Sequence, residues 1–201
     1  MKRKQEIVFF KSPKNGKNFE IDDLCIIAKD FAGDIVINGK ICGEGDITTK
    51  GNLIVLGQIY IEGDINVNKL YSKGIICYNL NAKNVVNYGK DIECNNITVE
   101  QDLLCFSKNS KDTWPLGGSI YCTKNIIVNG KLFCKEIGCK SVKVDGNLYV
   151  HEKLMSESLK VNKCLYYKGI IISKHIDVLK KEDKSKKGII NFNHLKVQSI
   201  M

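Results

Sequence analysis

The chain has 201 residues, is 43% hydrophobic and sets 31 Lys and Arg against 22 Asp and Glu, for a formal charge of +9. The apolar content is enough for a continuous core, yet no stretch approaches the roughly 18 apolar residues that a membrane-spanning helix needs. Arg3 is the only arginine, and arginine is the residue suited to bidentate phosphate and guanine contacts. The charge therefore reads as a lysine-rich, solvated exterior, and nucleic acid is not an expected partner.

Taken in order, residues 1–32 lack the period that follows. Lys2, Arg3 and Lys4 open the chain, and residues 7–10 form a short apolar run that reads as a strand. With Phe9 and Phe10 they make a candidate contact for an anionic membrane surface or a partner, each basic side chain contributing on the order of 1 kcal/mol near such a surface. Residues 19–31 place Ile21, Leu24, Cys25, Ala28 and Phe31 at roughly helical spacing, blurred by Ile26 and Ile27. Either a short helix or an irregular first coil here would shield the end of a stack.

Residues 33–68 then repeat a six-residue unit without a break: GDIVIN, GKICGE, GDITTK, GNLIVL, GQIYIE, GDINVN. Two residues after each glycine stands Ile35, Ile41, Ile47, Leu53, Ile59 or Ile65. Two further on come Ile37, Gly43, Thr49, Val55, Ile61 and Val67. Alternation of this kind points both positions to one face of a strand. Six residues are too few for a strand, a hairpin turn and a return, so the glycine marks a corner, where its tolerance of positive φ eases a sharp bend. Three short sides per coil of roughly 16–18 residues then stack into an all-β, parallel, three-sided β-helix of roughly eight coils. Outward positions such as Lys40, Lys50, Gln58, Glu62, Lys143, Asn147 and Lys160 give it polar walls.

Beyond residue 68 the period loosens without stopping. Leu70, Ile75, Leu80 and Val85 come five apart, followed by Ile92, Ile97 and Leu103. It resumes at Ile120 and continues through Ile126, Leu132, Ile137, Val142, Leu148, Leu154, Leu159 and Leu165. Residues 106–117, FSKNSKDTWPLG, interrupt it and carry Trp114, the only tryptophan. The segment reads as an insertion at a corner, with Trp114 folded back on the wall, or as a binding loop in which Trp114 meets a partner. Ile170, Ile172 and Ile176 begin the last coil. The charged run KKEDKSKK follows, and residues 188–197 alternate as a capping strand would. The expected organisation is a tail and cap over 1–32, the solenoid over 33–176, and a linker and cap over 177–201.

The chemistry-bearing residues do not converge in sequence. Nine cysteines include no CxxC pair, and Cys94, Cys105, Cys122, Cys134 and Cys139 fall at the second inward position of their units. They read as core filler, because a free thiol behaves as a small hydrophobe. No signal peptide is apparent, so the cytoplasm is the expected location, with membrane association through the amino terminus. His151, His175 and His194 are widely spaced, and no nucleophile elbow or phosphate loop is visible. Asp34, Asp46 and Asp64 sit beside corner glycines, where turn hydrogen bonding accounts for them. No catalytic, cofactor-binding or metal-binding residue is assigned, and no cofactor or enzymatic activity is expected.

The GDI and GxI units, the 16–18-residue coils and the charged termini resemble the bactofilin family of polymer-forming bacterial cytoskeletal proteins, over about residues 33–176. That resemblance implies a right-handed β-helix polymerising end to end without nucleotide, often near the membrane. The ends that would then meet are marked by Ile35, Ile37 and Ile41 on one side and Ile170, Ile172 and Ile176 on the other. Two other classes compete. One is a hexapeptide-repeat acyltransferase, whose unit places a small residue directly after the buried aliphatic; Val36, Cys42, Thr48, Ile54, Tyr60 and Asn66 stand there instead. The other is a monomeric solenoid that serves as a binding scaffold.

Overall fold

The computed structural model describes residues 5–6, 19–21, 24–28, 34–37, 39–106, 117–183 and 189–200. They are all-β with no helix, and their strands stack in parallel as a β-solenoid of about eight turns. Three columns of inward aliphatic side chains define its sides. Side 1 stacks Ile41, Ile59, Ile75, Ile92, Ile120, Ile137, Leu154 and Ile171. Side 2 stacks Ile47, Ile65, Leu80, Ile97, Ile126, Val142, Leu159 and Ile176. Side 3 stacks Ile35, Leu53, Leu70, Val85, Leu103, Leu132 and Leu148, with Leu165 one turn on. None of these residues is more than 6% exposed. Burying each stabilises the fold by about 1.5–3 kcal/mol relative to leaving it in water.

The shortened sides of the middle turns keep this register. Ile75 pairs with Ile59, Leu80 with Ile65 and Val85 with Leu70, so losing one residue tightens a corner and shifts no column. The interruption after Phe106 leaves the columns equally intact. Ile92 pairs with Ile120, and Leu103 with Leu132, across the inserted residues. Residues 107–116, Trp114 among them, lie outside the described residues.

The corners hold for a reason that the repeat alone did not reveal. Of the glycines opening the hexads, Gly45 has a positive φ of 117°. At Gly63 the constraint is contact between turns instead. A Cβ there would overlap the carbonyl of Gly45, one turn away. Side-chain ladders reinforce the same corner. The backbone N–H of Asp64 donates to Asp46 Oδ1 at 2.9 Å, and Asn79 donates to Asp64 Oδ1 from its backbone at 3.1 Å and its amide at 2.8 Å. Asn96 Nδ2 donates to Asn79 Oδ1 at 2.9 Å, and Asn125 Nδ2 to Asn96 Oδ1 at 3.3 Å. Asp34 likewise accepts from Asn52 Nδ2 at 2.7 Å. The aspartates of the hexads are thus the first members of corner ladders, which keep polar groups paired where the chain turns.

Pairing extends beyond residues 33–176 at both ends. Phe19–Ile21 pairs with Ile41–Glu44, and Leu24–Ala28 with Ile47–Thr49, so the alternative of a short amino-terminal helix gives way to an irregular first coil. At the other end Ile189–Ile200 pairs along Ile170–Asp183 as a further parallel strand. Part of the expected charged linker, Lys180 to Asp183, belongs to that strand, and residues 184–188 lie outside the described residues.

Two substitutions and one deletion test this arrangement. Ile126→Asp should cost several kcal/mol, because a charge replaces a fully buried side chain. Gly63→Ala should cost about 1–3 kcal/mol through overlap with the Gly45 carbonyl. Deleting residues 107–115 should leave the β circular dichroism and cooperative unfolding intact, since the columns close in register across the gap. Loss of β signal in the deletion would make the insertion part of a turn.

Candidate assembly and binding surfaces

The ladder runs past the residues expected to mark the solenoid ends. Ile35, Ile37 and Ile41 are buried, at 6%, 3% and 2% exposure, and Phe19 pairs with Ile41 on the side facing the amino terminus. Ile176 is likewise buried within the ladder. Ile170 and Ile172 are a correction of another kind. They are 40% and 38% exposed on the wall, while Ile171 between them fills the core at 0%. A shift of one residue reverses the face of every side chain in a strand, and three consecutive isoleucines gave the sequence no way to choose. The ladder also continues past them, since Ile171 pairs with Ile190 and Ile176 with Leu195. Lys2, Arg3, Lys4, Phe9, Phe10 and Trp114 lie outside the described residues.

The walls differ from one another, which corrects the expectation of polar walls all round. Side 2 turns Thr48, Asn66, Asn81, Thr98, Lys143 and Lys160 outward and is mostly polar. Side 3 carries Val36, Ile54, Tyr71, Val86, Leu104, Phe133, Tyr149 and Tyr166 at its central outward position, apolar or aromatic at every turn. Phe133 and Tyr149 stack with centroids 5.7 Å apart, and Tyr149 and Tyr166 at 4.5 Å with planes 5° apart. Tyr71 stacks on Tyr88 at 4.4 Å. Ring stacking covers part of this surface and leaves it half-buried, with Tyr71 38% exposed. A continuous apolar line on a solvent-facing sheet is a candidate contact surface. The pattern was legible in the sequence as the residue directly after each side 3 aliphatic, but only once the three sides are counted separately.

Four of the five cysteines read as core filler, Cys94, Cys105, Cys122 and Cys134, are buried, as is Cys77 at the same inward position. Cys139 is only partly buried and packs against the core. Burial pushes the Cys105 and Cys139 thiols up to about 12 and the Cys122 thiol to about 11. Cys134 is raised for the same reason. Side 3 also buries polar groups that the hydrophobic period did not foresee. Ser72 and Asn87 are both 0% exposed, and the Ser72 hydroxyl donates to Asn87 Oδ1 at 3.5 Å. The Asn87 amide donates to the carbonyl of Lys90.

Among the described residues no group of three or more Cys, His, Asp or Glu side chains is arranged to hold a metal ion. His175 pairs in register with His194 on side 2, whereas His151 belongs to side 3, half-buried with Nδ1 3.9 Å from Glu152. Comparison with family models, curated proteins and solved structures finds no match for this chain. The bactofilin resemblance therefore rests on the repeat texture alone.

The raised thiols make stability depend on pH in a defined direction. In the unfolded chain a thiol ionises near pH 8.5, whereas the folded thiols stay protonated until about 11–12. Their contribution is fully present below pH 8.5 and is lost as pH rises toward the folded values, because ionisation favours the unfolded chain first. Unfolding free energy should be flat from pH 7 to 8 and decline between pH 9 and 10, less steeply in Cys105→Ala. A decline of equal slope in that variant would contradict the assignment.

Proposed function

We propose that this chain is a structural, polymer-forming protein that assembles end to end by continuing its own β-ladder, without nucleotide. The observation that carries the reading is the last strand, Ile189–Ile200, which among the described residues pairs on one edge only, with Ile170–Asp183. Its register positions continue the columns below, with Ile190 after Ile171, Leu195 after Ile176 and Val197 after Val178. An edge of this kind presents unpaired N–H and C=O groups and is a template for a further strand. A second molecule whose first coil met it would extend both the ladder and the core. On this reading, the amino-terminal Lys2, Arg3, Lys4, Phe9 and Phe10 would hold such an assembly against an anionic membrane.

A second reading is favoured by side 3, whose unbroken apolar column suits lateral pairing with another copy. Its turns repeat at the same strand spacing, about 4.8 Å, so two such walls can mesh.

Electron microscopy of the full-length protein at rising concentration, with no nucleotide added, tests both. End-to-end growth predicts filaments that shorten several-fold in Leu195→Lys and persist in Tyr149→Lys, each variant checked for native circular dichroism. Dispersal by Tyr149→Lys alone would transfer the assignment to the side wall. A folded protein that stays monomeric at high concentration would defeat both readings and leave the binding scaffold.

A further inference from the structure

The second inward position of side 1 is occupied by cysteine in four consecutive turns: Cys77, Cys94, Cys122 and Cys139. We propose that Cys77 and Cys94 form a paired modification site, at which hydrogen peroxide closes a disulfide between successive turns. The inference rests on side-chain geometry and is independent of how the molecule assembles.

Backbone register brings the two residues together. Ile75 pairs with Ile92 and Ile76 with Glu93, and the Cys77 N–H donates to the Glu93 carbonyl at 3.1 Å. Cys77 therefore lies over Cys94 at the separation of adjacent strands, about 4.8 Å, inside the roughly 4.4–6.8 Å between Cα atoms that a disulfide accepts. The two sulfurs are already 3.3 Å apart. The other thiols of the column are directed elsewhere. Cys94 and Cys122 are also in register, but Cys122 Sγ donates to the carbonyls of Asn95 at 3.0 Å and Asn125 at 3.3 Å. Cys139 Sγ donates to the carbonyl of Ser141 at 3.5 Å. One pair of sulfurs in the column thus faces its neighbour, and the geometry selects the product.

Access comes from the wall. A groove of roughly 480 Å³ opens over this stretch, lined by Tyr60, Tyr78, Tyr121, Cys77, Cys94 and Cys122. Both paired cysteines are 5% exposed, which limits entry to a small oxidant. One thiolate attacks the peroxide O–O bond to give a sulfenic acid and hydroxide. The second thiol then displaces water from that sulfur, so two thiols and one hydrogen peroxide yield one disulfide and two waters. Contact with Cys77, and then burial, raises the Cys94 thiol well above its ordinary value, so the first step is slow and quickens as pH rises. The second step is fast because the partner sulfur is already in place.

The experiment exposes the full-length protein to hydrogen peroxide at pH 7 and 9, followed by denaturation, alkylation and non-reducing peptide mapping. The expected major product links Cys77 to Cys94, forms up to about a hundredfold faster at pH 9 because the thiolate fraction rises about tenfold per pH unit, and persists in Cys122→Ser. In Cys94→Ser, shown to be folded by circular dichroism, Cys77 should form no link to Cys122. A predominant link between Cys94 and Cys122 or between Cys122 and Cys139 would overturn the proposal. So would recovery of both Cys77 and Cys94 as thiols under conditions that oxidise the denatured chain.

Discussion

The structure depends on one constraint: every turn must place its inward aliphatic directly over that of the turn before, at a single strand spacing. Parallel pairing fixes the spacing, and the apolar core fixes the register, because a slip of one residue would turn Ile and Leu outward along the whole side. Corner glycines and the Asp and Asn ladders serve that stacking. Gly63 lets the chain pass close to the carbonyl of Gly45, and Asn79, Asn96 and Asn125 pair the polar groups of successive bends. Stability in such an array is a sum of nearest-neighbour contacts between turns. On the proposed reading, a turn at the end of the stack, with one neighbour instead of two, is where another molecule would add.

Much of this was legible in the sequence, because the repeat encodes both period and face. The inward aliphatics that the period marks from Ile35 to Leu165 all lie in the core. The five-residue spacing from Leu70 to Val85 does not disturb the reading, since register is preserved when a bend shortens. The reading failed where composition is locally uniform or where polar residues fill inward positions. Residues 170–172 are all isoleucine, so alternation carries no phase there, and Ile171 rather than its neighbours faces inward. Ser72 and Asn87 occupy inward positions that hydrophobicity alone assigns elsewhere. Their burial is offset by hydrogen bonds to each other and to the Lys90 carbonyl, which only the stacked turns bring within reach.

The outer surface shows why three-sided counting matters for function. Read along the chain, Ile54, Tyr71, Val86 and Phe133 look like scattered exposed residues on a lysine-rich protein. Read by turn, they and their neighbours form one line down side 3, while side 2 presents Thr, Asn and Lys. The two proposed interaction surfaces thus have different physics. The last strand offers a hydrogen-bonding edge in register with the columns below it, which favours a partner of matching register. The wall offers stacked rings, whose contacts are less directional.

The orientation of the strand spacing within an assembly separates these cases most directly. Fibre diffraction of aligned full-length protein reads it without any variant. Continuation of the ladder from molecule to molecule places the reflection near 4.8 Å on the meridian, along the fibre axis, because strands lie across the axis of the stack. The same reflection on the equator would mean that molecules lie crosswise and associate through their walls, and the account of end-to-end growth would be wrong.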